Sequence, residues 1–213
     1  LMSNNGIHEN IEILQNEPAL QDNLATANNF AHDSSSGDVD GDGNIDVFMN
    51  AVLYFSDGQG NFDIVGLNQK DYMDQWGGGK EKVDKTHAHA STIGDYNNDG
   101  VDDLVIFWSD IATEENEWGA RNWNNILLGP IDKTNPTYLD SDEWGRLPEP
   151  FYGPDNANYN DAESGDINGD GFDDIVVGST RKNPYYAGRH VQILISNGDG
   201  TFNDETDTRF VDQ

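Results

Sequence analysis

Three stretches of the chain set oxygen-bearing side chains at alternate positions around a glycine. They read GDVDGDGNID from Gly37, GDYNNDGVDD from Gly94 and GDINGDGFDD from Gly165. Counted from the first aspartate, Asp or Asn stands at positions 1, 3, 5 and 9, and Gly at position 6. That spacing lets a tight loop converge carboxylates on one hard cation, with the backbone carbonyl of position 7 as a further donor. The first loop would use Asp38, Asp40, Asp42, the carbonyl of Asn44, and Asp46. The second would use Asp95, Asn97, Asp99, the carbonyl of Val101, and Asp103. The third would use Asp166, Asn168, Asp170, the carbonyl of Phe172, and Asp174. Oxygen-only sites with several carboxylates favour Ca²⁺ over zinc or copper. Mg²⁺ keeps more of its water and demands a stricter octahedron. Three Ca²⁺ ions are therefore expected. Turn formation alone also draws Asp, Asn and Gly together, but it does not call for one spacing three times over. Without cations, each loop would crowd three or four carboxylates at a repulsive cost.

Other chemistry is sparse. His32 and His89 each stand six residues before the first aspartate of a loop, a recurrent slot that predicts a structural hydrogen bond within the repeat. His87 and His89 would share one side of a strand, half of a transition-metal site with no further ligands to complete it. No G-x-S-x-G, H-E-x-x-H or phosphate-binding glycine loop appears, and acid pairs are too abundant to single out a glycosidase site. No catalytic residue is assigned. Zero cysteines remove disulfides, Cys-ligated zinc and thiol nucleophiles together. The 213 residues carry 40 Asp and Glu against 11 Lys and Arg, a formal charge of −29. That balance argues against nucleic acid, which is bound by cationic side chains, and against an anionic membrane surface. No apolar run approaches the roughly 18 residues that span a bilayer. The opening LMSNNGIHEN lacks the basic start and apolar stretch of a signal peptide, so a targeting segment would lie outside this chain.

The elements that hold the loops read as strands. An EF-hand needs Glu at position 12 and flanking helices. Position 12 is Met49, Ile106 or Val177, each inside a β-prone run. A short strand is expected before each loop, around Ala31–Ser36, Ala88–Ile93 and Ala162–Gly165. The strand after it falls at Ile45–Met49, Leu104–Trp108 and Ile175–Val177. A third follows at Val52–Phe55, Asn125–Leu128 and Val191–Ile195. Glycine-rich turns, SDGQGNF from Ser56 and SNGDGTF from Ser196, then lead to a fourth strand. The second repeat departs from this, reading LLGPIDKTNP after its third strand, so its outer edge is the least defined. Four short antiparallel strands per unit describe a propeller blade. One helix is expected, at Pro18–Ala27.

These loops, their following strands and the NGDGTF-like turn resemble the FG-GAP and VCBS-type repeats, a family that includes the β-propeller of integrin α subunits. The resemblance runs from about Ala31 to Glu205. It implies an all-β, calcium-binding, extracellular propeller of seven blades. Here residues 1–213 would form a partial propeller of about three and a half four-stranded antiparallel blades. Residues 1–29 would be the end of a preceding blade plus a connector, since LMSNNGIHENIEIL resembles ILISNGDGTFNDET. Blades would follow at 30–66, 86–139 and 158–207. The missing blades would come from a longer parent chain or from oligomerisation.

The family geometry puts the calcium loops and glycine-rich turns on one face and the long insertions on the other. Those insertions, Gly66–Lys85, Ser109–Asn124, Asp140–Asn158 and Ser179–His190, are rich in aromatic residues. Trp118, Trp123, Trp144, Tyr185 and Tyr186 are the candidate contact residues for a glycan or protein ligand, because exposed Trp and Tyr make good anchors. The expected function is a secreted or cell-surface module for adhesion or ligand binding. The alternative is a propeller part of a secreted polysaccharide-active enzyme, which the fold alone does not separate from an adhesin.

Overall fold

Each acidic loop reverses the chain between two antiparallel strands. A computed structural model describes residues 33–49, 52–66, 87–109, 124–134, 147–153 and 156–210. In the first sheet β1 (Ser34–Gly37), β2 (Asp46–Met49), β3 (Val52–Ser56) and β4 (Phe62–Gly66) lie in chain order. The second holds β5 (His87–Gly94), β6 (Asp103–Ser109) and β7 (Asn125–Leu127). The third holds β8 (Ala157–Gly165), β9 (Asp174–Arg181), β10 (Ala187–Ser196) and β11 (Phe202–Asp204). All pairings are antiparallel. The only described helix is α1, the four residues Thr206–Arg209. The architecture is all-β, built of partial propeller blades.

The strands' two-residue alternation gives each sheet two apolar faces, and the core lies between sheets. In the first sheet Phe48 faces Leu53 across the β2–β3 pair, and in the second Val105 faces Ile126 across β6–β7. Their neighbours along the strand, Leu104, Ile106 and Leu127, point the opposite way. One core therefore joins Val39, Phe48, Leu53 and Phe55 of the first sheet to Ile93, Leu104, Ile106 and Leu127 of the second. The next joins Val105, Phe107 and Ile126 to Ile175, Val177, Leu194 and Phe202 of the third. A fully buried side chain of this size contributes about 1.5–3 kcal/mol, so neighbouring sheets stabilise one another strongly. The first strands β1, β5 and β8 run beside each other. The first and second sheets are linked there by Ser35 Oγ to Ser91 Oγ at 2.9 Å and by the Ser91 N–H to Asp33 Oδ2 at 2.9 Å, and the second and third by Ser164 Oγ to the Ile93 carbonyl at 3.0 Å.

Two expectations change. Strand β8 begins at Ala157 instead of Ala162, and most of the supposed insertion Ser179–His190 is hairpin, with His190 paired to Ser179 and Ala187 to Arg181. Small polar residues fill these strand ends, with Ser179 and Thr180 buried, so no apolar run marks them. The helix expected at Pro18–Ala27, the preceding half-blade at residues 1–15, and Trp118, Trp123 and Trp144 lie outside the described residues.

Candidate metal centre

The three loops share one backbone scaffold. The position 1 carboxylate accepts the N–H of position 6: Asp38 from Gly43 at 2.8 Å, Asp95 from Gly100 at 3.0 Å and Asp166 from Gly171 at 3.0 Å. Position 6 has φ of 89° at Gly43, 89° at Gly100 and 94° at Gly171, a left-handed conformation that glycine adopts without a Cβ penalty. The position 3 side chain accepts the N–H of position 5, so Asp40 takes Asp42 at 3.1 Å, Asn97 takes Asp99 at 3.0 Å and Asn168 takes Asp170 at 2.8 Å. Position 5 accepts from position 7 in turn, at 2.8 Å in Asn44, 2.9 Å in Val101 and 2.9 Å in Phe172. These successive bonds wrap each loop around the side chains of positions 1, 3 and 5.

In the first loop, ligand atoms of Asp38, Asp40 and Asp42 all lie within 4.8 Å of one another. Asp38 Oδ1 is buried and has no hydrogen-bond partner among the described residues. A buried, unpaired carboxylate oxygen beside two more carboxylates is costly without a cation, and the donor set is the hard-oxygen type that suits one. The loop already has one positive neighbour: Lys133 Nζ is 3.6 Å from Asp40 Oδ2 and 3.9 Å from Asp63 Oδ2. The second and third loops hold Asn at position 3 and so carry one carboxylate fewer.

The position 9 aspartates stand apart from the side chains at positions 1, 3 and 5. Asp46, Asp103 and Asp174 are fully buried, and each binds two backbone donors. One oxygen accepts the position 2 N–H, from Val39 at 3.1 Å, Tyr96 at 3.0 Å or Ile167 at 3.0 Å. The other accepts an N–H beyond the third strand's centre, from Ser56 at 2.8 Å, Gly129 at 2.8 Å or Ser196 at 2.9 Å. Each aspartate thereby ties its loop to its own third strand. Burial pushes the Asp103 carboxyl up to about 7. The Gly129 and Tyr96 N–H groups oppose that rise, and the nearby Asp99 and Asp95 charges add to it. Burial likewise raises Asp46.

Position 8 has a role that the spacing did not reveal. Asp102 Oδ2 accepts the Asp38 N–H at 2.7 Å, and the Asp102 N–H returns a bond to the Asp38 carbonyl at 3.1 Å. Asp173 repeats both contacts on Asp95, at 3.2 Å and 3.4 Å. The first loop is thus clasped by the second, and the second by the third. The recurrence of Asp at position 8 in repeats two and three was the available signal, and the first repeat, with Ile45 there, lacks it.

The glycine-rich turns lie on the same face as the acidic loops: a Cβ at Gly58 would strike the Asn44 side chain, and one at Gly198 the Phe172 ring. At the opposite end, Tyr185 is 77% exposed and stands edge-on to Tyr186, with ring centroids 4.6 Å apart. Nearby Phe151, also exposed, stacks on His190 at 3.4 Å, while the Arg181 guanidinium lies 4.9 Å over the Tyr152 ring. Sequence reasoning passed over Phe151, although it adjoins Tyr152 in the insertion Asp140–Asn158. His89 Nδ1 donates to the Tyr159 carbonyl at 3.1 Å, a bond that runs to the neighbouring sheet. No described helix is long and apolar enough to cross a membrane.

Comparison with known proteins adds one match. Residues 159–189, from β8 through the third acidic loop and β9 into β10, match the family model of the FG-GAP repeat. A search of curated proteins finds no match. The third acidic loop and the strands that hold it therefore form an FG-GAP-type repeat.

Proposed function

We propose that this chain is a calcium-stabilised β-propeller module of an extracellular or cell-surface protein, one that presents a ligand-binding surface opposite its metal loops. The convergence of Asp38, Asp40 and Asp42 around the unpartnered, buried Asp38 Oδ1 carries the metal half of this reading. The equivalent scaffolds at Asp95–Asp103 and Asp166–Asp174 extend it to three ions. The side chains at positions 1, 3, 5 and 9 and the carbonyls of Asn44, Val101 and Phe172 hold them. Calcium neutralises the loops and locks their turns; it supplies no reaction. Extracellular modules of this kind bind calcium at roughly 10⁻⁴–10⁻³ M, which suits the calcium-rich side of a membrane. The exposed Tyr185 and Tyr186, with Phe151 beside the same hairpin end, support the ligand half, because rigid aromatic rings contact sugars and protein side chains at low entropic cost.

Calorimetric titration of metal-stripped protein tests the first half. Three ions should bind, and Asp42→Ala, Asp99→Ala or Asp170→Ala should each remove one. At about a hundredfold excess of calcium over the dissociation constant, each site adds around 2.7 kcal/mol, so excess chelator should lower Tm steeply. An unchanged melt sinks the metal reading. For the second half, a glycan array and a panel of extracellular proteins are probed with wild type and Tyr185→Ala. The substituted protein should keep its Tm and lose the retained ligand.

A further inference from the structure

Positive charge is scarce in this chain and gathers in one place. No Asp or Glu stands between Asp174 and Asp199, in a sequence where acids outnumber Lys and Arg by 40 to 11. Within that stretch Arg181, Lys182 and Arg189 fall at the turn end of the β9–β10 hairpin, next to His190. The third acidic loop meets the other end of the same strand, since β9 begins at Asp174. Strand residues rise about 3.3 Å each, which puts roughly 23 Å between the two ends. That is more than twice the Debye length of about 10 Å at 0.1 M salt, so the loop does not cancel the field of the hairpin end. The acids on flanking segments are also set back from the turn. Asp161 stands level with Gly178, Asp204 with Leu194, and the Glu149 carbonyl meets Gln192. Asp204 is further engaged by Gln192 Nε2 at 2.8 Å and the Thr206 N–H at 3.0 Å.

The cations are set among rings on a fixed platform. Arg181 lies over Tyr152, whose hydroxyl packs so tightly on Gly188 that a Cβ there would fall 2.6 Å from it. Tyr152 meets Phe151 edge-on, and Phe151 stacks on His190. Gln192 holds this segment down, accepting the Phe151 N–H at 3.0 Å and donating to the Glu149 carbonyl at 3.1 Å. Above the platform Phe151, Tyr185, Arg181 and Arg189 are exposed. Neither guanidinium forms an ion pair with a described carboxylate, whereas Arg209 is paired with Glu205. Tyr186, next in the turn, has a φ of 55°, a strained conformation for a bulky residue and one that collects at ligand clamps.

We propose that this hairpin end binds an anionic glycan, a sugar chain bearing carboxylate or sulfate groups, with Arg181 and Arg189 on the charges and Phe151 and Tyr185 on the sugar rings. It rests on the ligand-binding half of the function proposed above and adds the ligand's class. Guanidinium forks match the oxygens of such anions, and flat aromatic rings cover the apolar face of a pyranose. A neutral sugar would leave the two guanidinium groups unused, and an acidic peptide would leave the exposed rings uncovered. The acidic remainder of the molecule repels a polyanion, which confines it to the end where the field reverses.

The test measures binding of the full chain, in calcium buffer, to oligogalacturonate, dextran sulfate, dextran and polyglutamate. Oligogalacturonate or dextran sulfate should bind, and whichever binds more tightly identifies the charged group as carboxylate or sulfate. Dextran and polyglutamate should bind at least about tenfold more weakly, the equivalent of one charged hydrogen bond. Arg181→Gln combined with Arg189→Gln, and separately Tyr185→Ala, should weaken the bound sugar by at least as much while leaving Tm unchanged. The proposal is overturned if neither charged sugar binds, or if dextran binds as tightly as its sulfate. It is also overturned if polyglutamate binds as tightly and Tyr185→Ala makes no difference, since the partner is then an acidic peptide. Binding that survives loss of both arginines overturns it too, because calcium then bridges the sugar to the acidic loops. A neutral ligand that depends on Tyr185 in the array and protein screen would overturn the anionic class and leave the ligand-binding face standing, whereas a Tyr185→Ala protein that loses nothing in that screen sinks both.

Discussion

Asp174 combines two tasks that are usually separate: it borders the third loop's interior and accepts N–H groups from Ile167 and Ser196. Removing a buried acceptor leaves its donors unpaired, at about 1–3 kcal/mol for each orphaned N–H. Asp174→Ala should therefore lower the unfolding free energy by that amount per donor even in excess chelator, where no metal contributes. Urea denaturation in chelator checks this, and a loss below about 0.5 kcal/mol, the scale of an ordinary surface change, would show the bonds to be dispensable. The shared fold of positions 1, 3 and 5 was legible because those residues bond to one another's stretch of backbone within a single loop. The second task of position 9 was not legible. Ser196 lies 22 residues from Asp174, and only the β9–β10 register brings its N–H to the carboxylate.

At the scale of the elements, alternation decides which neighbour each strand serves. Leu104 and Ile106 face the first sheet while Val105 and Phe107 face the third, so β6 is apolar from Leu104 to Trp108 and reads plainly in the sequence. The start of β8 and the turn end of β9 carry Asn158, Ser179 and Thr180, buried polar residues that imitate a loop. Close approach of the sheets depends on Gly37 and Gly94, whose missing side chains make room for the clasp. Gly94→Ala should push Asp173 and Ser164 aside, and overpacking of this kind costs typically about 1–3 kcal/mol. Gly165→Ala, at an open position, should be close to neutral. Paired thermal melts of the two variants measure the difference, and equal losses would contradict the role assigned to the junction. Position 8 could have been recognised as meaningful from its recurrence, but its partner is the backbone of another repeat, which no spacing within one repeat discloses.

The whole molecule carries a formal net charge of −29. Lys133 beside Asp40 and Asp63, and Arg209 beside Glu205 at 2.7 Å, are among the described ion pairs. Self-repulsion on this scale destabilises a compact chain and is screened by salt, over about 10 Å at 0.1 M. In chelator, Tm should therefore rise as sodium chloride is raised from about 0.01 to 0.15 M. With calcium saturating, the rise should shrink, because some of the repulsion is already neutralised. Differential scanning calorimetry across the two series provides the check, and a Tm that falls with salt in chelator would refute the argument. The order of blades was readable from the repeats. The length of each hairpin and the identity of the groups that join blade to blade were not, because both are set by contacts between sheets.

The clasp also has a direction. Asp38 is completed by Asp102 and Asp95 by Asp173, in both cases by residues that come later in the chain, and never by earlier ones among the described contacts. During synthesis from the N-terminus, a loop would emerge with its backbone unfinished and wait for the following repeat to leave the ribosome. Folding would then trail translation by one repeat along the chain, with each newly made sheet serving as the template that sets its predecessor. A premature stop or a slow codon between repeats would leave the last completed sheet, and no other, with its outer face exposed to chaperones and proteases.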